Sequence, residues 1–543
     1  MNPAKSGATE ASAARHRACG LPPWCLWLLA IGGLLLALDG DLFWDEPAYL
    51  YIAAFVGDPD FLEGTFQPTG IENFYLPKIL HLYFVRLLVG LFGPGLFTLG
   101  LVMTAYAAMV AGSMWLAFAS LKRLLPNVRY LGTATILVSL SPIVLYLAFK
   151  TLPEAPALLF SSLALYGLVR NLGSRLSLGW LVLTAISLTG LALTRHSVAL
   201  LLVGFAVAAV LFPPNALPRS RVFWRSTISA VAGLATTLVL LSLLGISVER
   251  YLMASSLFVK QQPLLFRVVS TAIEFGILWL FLPAAFLAWR RDGFAFLVTW
   301  FLVATLPILL LFSHVESRYL MQNIVPFVGL CALALAGLAE SRPWRTIEYR
   351  RWGGWVAGAG AIFLLASGWC ALRLSPAEVN IWHMHRIVDT VQQAGNPARQ
   401  KWLTAYSYTD FHYLSFAYPE LEVINVTRLV VEKPAGSVEY EQDFEHYRGG
   451  FAPSMEELGK IEGELIFVGF GENFMVANAR RVLDLLPGID SERLLPRGRF
   501  LDHFATSWMW EHPAIEFTPL ASSGPYRAYA VTMHDNFANH SEE

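Results

Sequence analysis

The sequence predicts a polytopic α-helical membrane protein with about 11 transmembrane helices, followed by a soluble C-terminal α/β domain. Three observations lead to this prediction. The 543-residue chain has a mean hydropathy of +0.51, and only 15% of its residues are charged. Apolar runs of about 20 residues, each long enough to cross a bilayer, recur through the first 373 positions. After that point the composition is polar, and short strand-like runs replace the long apolar ones.

The apolar runs give the positions of the spans, and the basic residues between them give the orientation. Lysines and arginines recur after every second span, as at Lys122 and Arg123 or at Arg290 and Arg291. The positive-inside rule places these loops in the cytoplasm and the C-terminal domain on the extracytoplasmic side of the inner (plasma) membrane. We expect spans at roughly 22–39, 94–121, 130–149, 153–169, 177–194, 197–213, 226–247, 268–289, 293–313, 319–339 and 353–373.

These spans divide the chain into three parts. Residues 1–21 form a cytoplasmic tail, residues 22–373 form the membrane domain with a long first outer loop at 40–93, and residues 374–543 form the extracytoplasmic domain. That last part contains strand-like runs such as LEVINV, GELIFVGFG and YRAYAVTM. None of the four cysteines lies after residue 370, so the C-terminal region has no disulfide framework. A net charge of −1 gives no indication of a nucleic-acid partner.

Two adjacent acids, Asp45 and Glu46, lie in the first outer loop in the run FWDEPAYLYIAA. Ionised carboxylates beside lipid are costly, so a pair of them at the membrane surface indicates chemistry there. The run that follows has a helical pattern with Pro47 in its first turn. The later stretch PKILHLYFVRLLVGLF, about 77–92, is predicted to be a helix lying in the interface.

Further charged clusters fall at the outer ends of spans, where we expect acids and cations to converge on one cavity. A carboxylate can act as a general base, and cations can hold a phosphate and stabilise it as it leaves. The clusters are Lys78; Glu154 in TLPEAP; Arg195 and His196 in LTRHSV; and His314, Glu316 and Arg318 in SHVESRYL.

Each cluster also has a purely structural interpretation. Asp45 fits a helix N-cap, and Glu154 fits an acid that complements a helix dipole. Lys78 fits a cation whose stem lies in the interface while its charge reaches water. Arg195 and His196 fit a short polar turn between two spans, and Arg318 fits an internal partner for Glu316. These alternatives stay open at the level of the sequence.

The order and shared sidedness of these motifs resemble the GT-C glycosyltransferases, over about residues 22–340. The motifs are the acid pair in a long first outer loop, the lysine after it, PE at span four, TR between spans five and six, and ESRYL before span ten. Within that superfamily the chain resembles protein O-mannosyltransferases and lipid A aminoarabinose transferases. Relatives often carry Glu-Lys-Pro-Pro or His-Pro-Pro where this chain reads LPKIL.

The resemblance implies a membrane glycosyltransferase that moves a sugar from a polyprenyl-phosphate carrier to a hydroxyl-type acceptor, with inversion. Asp45 would be the general base, Glu46 would shape the acceptor site, and Glu154 would be the second acid of the fold. The substrate-binding residues would be Lys78, Arg195, His196 and Arg318. The partners would be the lipid-linked sugar donor, the bilayer, and a glycan, lipid or protein acceptor, with no nucleic acid.

We expect that no cofactor is required. Some enzymes of this fold bind a divalent cation through outer-loop acids, so Asp45 and Glu154 are candidate oxygen ligands for Mg²⁺ or Mn²⁺. No metal-type spacing shows in the sequence. Two other classes of function stay open, a transporter or flippase of lipid-linked saccharide and a non-catalytic scaffold for envelope assembly. A transporter would need charges inside several spans and repeated halves, whereas the charges here cluster at span ends.

Overall fold

A computed structural model gives the fold of the chain. It describes residues 40–42, 45–54, 56, 76–256, 275–311, 317–340, 379–404, 410–426, 458–470, 512–524 and 526–534, with residues 358, 362, 365, 366 and 509. The N-terminal tail, the expected first span at 22–39, and the residues His314 and Glu316 lie outside the described residues.

Most of the described chain is helical. In chain order, the helices are α1 Asp45–Ile52, α2 Ile79–Phe92, α3 Leu96–Leu124, α4 Leu131–Ser139, α5 Pro142–Phe149, α6 Glu154–Asn171, α7 Leu178–Arg195, α8 Leu200–Leu211, α9 Arg219–Leu243, α10 Val248–Ser256, α11 Phe281–Ala285, α12 Phe294–Leu311, α13 Ile324–Glu340, α14 Ile381–Ala394 and α15 Asp410–Ala417. Short 3₁₀ helices include Leu76–Lys78, His196–Ala199 and Ser317–Asn323.

Several of these helices are long and apolar enough to cross a membrane. Within the described residues there are four, at Leu96–Leu124, Leu178–Leu211, Arg219–Leu243 and Leu320–Glu340. A fifth results if α4 and α5, which meet at a bend of 65°, form one broken span. Shorter apolar helices lie at Gly276–Ala288 and Phe294–Leu310. The transmembrane character of the chain is therefore confirmed, and the count of about 11 spans stays a prediction.

Helices α6 and α7 pack closely because glycines face neighbouring side chains. A Cβ on Gly190 would lie 2.7 Å from two ring atoms of Phe160, and one on Gly167 would lie 2.6 Å from Oγ1 of Thr184. Small residues allow membrane helices to approach at this distance. The paired positions run in opposite directions along the two helices, so the start of α6 meets the end of α7.

The described residues form seven strands, and five of them make one sheet in the C-terminal part. The strands are β1 Asp41–Leu42, β2 Val379–Asn380, β3 Gln400–Thr404, β4 Glu422–Asn425, β5 Glu464–Phe470, β6 Ile515–Ser523 and β7 Tyr526–Met533. The sheet has the order β4-β3-β5-β7-β6, in which β3 runs parallel to β4 and β5, while β7 is antiparallel to β5 and β6. The three runs predicted as strands are β4, β5 and β7.

The first outer loop belongs with the C-terminal part. Asp41 pairs with Asn380 and Leu42 with Val379 in an antiparallel ribbon of β1 and β2. The chain divides into two compact units: unit 1 comprises Met1–Leu36 and Met103–Leu372, and unit 2 comprises Ala37–Val102 and Arg373–Glu543. Unit 1 holds most of the apolar helices, and unit 2 holds both sheets, α1 and α2.

Candidate functional site

Glu154 and Arg195 form an ion pair in unit 1. Nη1 of Arg195 contacts Oε1 of Glu154, with the Glu154 side chain 0% and the Arg195 side chain 14% exposed. Glu154 is the first residue of α6 and Arg195 the last residue of α7. A carboxylate at a helix N-terminus and a guanidinium at a helix C-terminus both complement the helix dipoles. The antiparallel packing of α6 and α7 thus brings together an acid and a cation that lie far apart in the sequence.

Lys150 lies close in sequence to this pair and is missing from the residues that the sequence singled out. It follows α5 directly, donates its backbone N–H to the carbonyl of Tyr146, and is only 2% exposed. Lysine is almost never fully buried unless its charge is paired. The signal was present in the run FKTLPEAP, where a cation stands four residues before the acid. Lys150 and Glu154 are the charged residues of unit 1 that are buried within the described part of the chain.

The 3₁₀ helix Ser317–Asn323 packs against α5, α6 and the His196–Ala199 turn, all in unit 1. The backbone of Arg318 is therefore in an element that contacts the helices carrying Glu154 and His196, although the Arg318 side chain lies outside the described residues. His196 is exposed, directly after Arg195. Asn323 is fully buried, and neither of its side-chain amide atoms has a hydrogen-bond partner among the described residues. Four residues singled out in the sequence, Glu154, Arg195, His196 and Arg318, thus lie on elements that pack against one another.

Helix α1 carries the acid pair in unit 2. Asp45 is its first residue, and the Asp45 side chain lies outside the described residues. Glu46 is fully buried. The predicted helical pattern is confirmed over Asp45–Ile52, with Pro47 in the first turn, where proline is tolerated.

Lys78 lies against the same helix. Its Nζ is 5.4 Å from the ring centroid of Tyr49, a residue of α1, in a cation–π contact. The ring of His81 meets Tyr49 edge-on, with 4.8 Å between centroids. Burial of His81, and then the nearby charge of Lys78, lower the pKa of the His81 imidazole to about 3. His81 is therefore neutral at pH 7, and Lys78 and His81 both pack on Tyr49, a residue of the helix that carries the acid pair.

The candidate residues thus fall into two groups. Glu154, Arg195, His196 and Arg318 lie on packed elements of unit 1, and Asp45, Glu46 and Lys78 lie on packed elements of unit 2. The helix predicted at 77–92 is present as α2 over Ile79–Phe92. Sequence reasoning missed Lys150 and Tyr49. Tyr49 is a buried ring that contacts both Lys78 and His81.

A divalent cation would need a set of oxygen ligands. The described residues contain no group of three or more His, Cys, Asp or Glu side chains that could hold a metal ion. One carboxylate oxygen of Glu154 is already in contact with the Arg195 guanidinium. The Glu154 carboxylate is thus arranged to neutralise a cationic side chain.

Solved structures share this fold. The chain is similar to ArnT from Cupriavidus metallidurans, in the apo state and bound to undecaprenyl phosphate, with a TM-score of 0.57 and 14% identity over 93% of this chain and 97% of ArnT. It is also similar to the apo oligosaccharyltransferase from Archaeoglobus fulgidus, with a TM-score of 0.50 and 12% identity over 86% of this chain and 71% of that one. No family model matches the chain, and no curated protein matches it significantly. The fold expected from the resemblance to GT-C enzymes is confirmed.

Proposed function

We propose that this protein is a membrane glycosyltransferase of the GT-C type (EC class 2.4). It would transfer a sugar from a polyprenyl-phosphate carrier to a hydroxyl group of a glycan, lipid or protein acceptor on the extracytoplasmic face. The observation that supports this most is the buried Glu154–Arg195 ion pair with Lys150 close in sequence, at one end of packed membrane helices. Two cationic side chains, Lys150 and Arg195, thus lie on elements around Glu154, and cationic side chains suit a phosphate group.

The likeness to ArnT bound to undecaprenyl phosphate supports the choice of carrier. In the proposed reaction, the acceptor hydroxyl attacks the anomeric carbon while Asp45 takes its proton. The bond from that carbon to the phosphate oxygen breaks, and the polyprenyl phosphate leaves as an anion. A single displacement inverts the anomeric centre. Lys78, Arg195, His196 and Arg318 would contact the phosphate, and Glu46 would shape the acceptor site.

In this proposal, Glu154 holds Arg195 in place for the phosphate. A guanidinium carries five N–H donors in a rigid fork, so it can bind a carboxylate and a phosphate oxygen together. The pair costs little to maintain because both charges sit at favourable helix ends. Removing either partner would deprive the other of this ion pair, which is costly for the fully buried Glu154 carboxylate.

The decisive assay uses purified protein in nanodiscs with a panel of radiolabelled polyprenyl-phosphate sugars. We expect Asp45→Asn and Arg195→Met each to lower turnover by roughly 100-fold or more, since each removes a charge used in the transition state. Arg291 and Glu340 form a second ion pair in the same unit, with side chains 29% and 53% exposed, so Arg291→Met is a matched control. Turnover in that control should stay close to wild type.

The same assay separates the rival functions. If the lipid-linked sugar crosses the membrane of sealed vesicles without being cleaved, the protein is a flippase and not a transferase. Absence of both turnover and donor binding would favour the scaffold. If Arg291→Met lost as much turnover as Arg195→Met, the Glu154–Arg195 pair would no longer support the proposed function.

We further propose that transfer needs no divalent cation, because the Arg195 guanidinium already occupies the Glu154 carboxylate as its counter-charge. Turnover should therefore persist when EDTA replaces added Mg²⁺ or Mn²⁺. Activity that EDTA abolishes and that only Mg²⁺ or Mn²⁺ restores would contradict this.

A further inference from the structure

Elements of the C-terminal part contact the chain shortly before α1 and the last turn of α1, all within unit 2. Just before α1, β1 pairs with β2, and the backbone N–H of Ile381 donates to the carbonyl of Gly40 at 2.8 Å. Gly40 has φ +75°, and a Cβ there would lie 2.6 Å from Cδ1 of Trp382. Helix α14 is itself fixed at this point, since the Asn380 side chain caps it by accepting from the backbone N–H of Trp382 and of the residue after it.

The other end of α1 packs against α15. The Tyr51 ring stacks on the His412 ring with 4.9 Å between centroids and 27° between planes. Phe411 meets Tyr51 at 5.5 Å in a tilted edge arrangement. His412 is 3% exposed and Phe411 is buried, so this contact is part of a packed interior.

We propose that α14 and α15, with strand β2, hold α1 in position and that His412 is a positioning residue for the acids Glu46 and Asp45. The roles of the two acids rest on the proposed function. Helix α1 has only eight residues, too few to be stable on its own in water. Its geometry must therefore come from tertiary packing, and the described contacts hold the chain at Gly40, shortly before the helix, and at Tyr51 in its last turn. The C-terminal part thereby sets the orientation of the acid-bearing helix.

The test measures amide hydrogen exchange in α1 together with the kinetics of sugar transfer, in the full-length protein in nanodiscs. We expect His412→Ala to raise exchange over residues 45–52 by about tenfold, as expected when local packing is lost. It should lower kcat more than it raises the KM for the donor. His412→Phe preserves a stacking ring and should restore both properties.

Two glycine variants probe the other end of α1. Gly40→Ala introduces a Cβ that collides with Trp382 and should raise exchange in α1. Gly93 also lies in unit 2 and has nearly the same φ, +78°, but a Cβ there meets no described atom within 4 Å. Gly93→Ala therefore also places a side chain at a positive φ, but without the collision, and exchange in α1 should stay as in wild type.

A buried position away from α1 controls for general loss of stability. Val468 lies in β5, between β3 and β7, and is fully buried, so Val468→Ala should destabilise unit 2 without selectively loosening α1. Unchanged exchange in His412→Ala would overturn the proposal, as would raised exchange with an unchanged kcat, or equal effects in Val468→Ala. If wild type transfers no sugar from any donor, the proposed function fails, while the exchange results still decide whether α14 and α15 hold α1.

Discussion

His81 is a buried imidazole that burial and Lys78 keep neutral. In the unfolded chain a histidine has a pKa of about 6.5, so protons bind preferentially to the unfolded state below that pH. The stabilising contribution of neutral His81 is complete above pH of about 6.5, and it is lost as the pH falls toward about 3. Each pH unit in that window costs up to about 1.4 kcal/mol of unfolding free energy.

The substitution His81→Phe tests this linkage, because phenylalanine keeps an aromatic ring against Tyr49 and cannot be protonated. We expect thermal unfolding of the variant to depend less on pH between about 6.5 and 4 than that of wild type, with little difference at pH 8. Parallel melting profiles for the two proteins across this range would contradict the assignment of the pH effect to His81.

Lys150 is the buried cation that follows α5. If it contacts the donor phosphate, Lys150→Met should raise the KM for the donor by about tenfold or more, since a charge-assisted contact is worth about 1.5–3 kcal/mol. Lys150→Arg should retain part of the affinity. Lys122, exposed in α3 at the predicted cytoplasmic side, provides the matched control Lys122→Met. Equal donor KM values for Lys150→Met and wild type would exclude Lys150 from the phosphate contacts.

At the scale of elements, the close packing of α6 and α7 sets the position of the Glu154–Arg195 pair. Gly190→Ala places a Cβ against Phe160 and should cost about 1–3 kcal/mol through overpacking. It should also lower turnover, because α7 carries Arg195. Gly179 lies in the same helix, and a Cβ there meets no described atom within 4 Å, so Gly179→Ala should be neutral or slightly stabilising. Melting temperatures in detergent and donor turnover measure both effects, and similar losses in the two variants would refute the packing argument.

At the scale of the whole molecule, a lipid carrier that binds only the folded protein must stabilise it. At a free concentration of about 100 times Kd, undecaprenyl phosphate should add about 2.7 kcal/mol to the free energy of unfolding and raise the melting temperature. The matching alcohol, undecaprenol, has the same chain without the phosphate and should shift the melting temperature much less. Equal shifts with both lipids would mean that the phosphate makes no specific contact.

Much of this architecture could be predicted from local patterns. The apolar runs predicted α3, α9 and α12, and alternating residues predicted β5 and β7. The acid pair was correctly placed at the start of a helix, because Pro47 follows it. The pairing of Glu154 with Arg195 could not be predicted, since it depends on how α6 and α7 pack and not on the local sequence of either helix. Lys150 was missed because a lysine between two spans looks like a solvated loop residue until its burial is known.

The pairing of β1 with β2 also has a consequence for the order of synthesis. The two strands are far apart in the chain, so the ribosome makes Asp41 long before Asn380. At about 5–20 residues per second, the partner strand emerges only after tens of seconds. During this interval nascent α1 lacks β2 and α15. A chain that terminates early would thus carry both acids without the elements that orient them, and it would be catalytically silent.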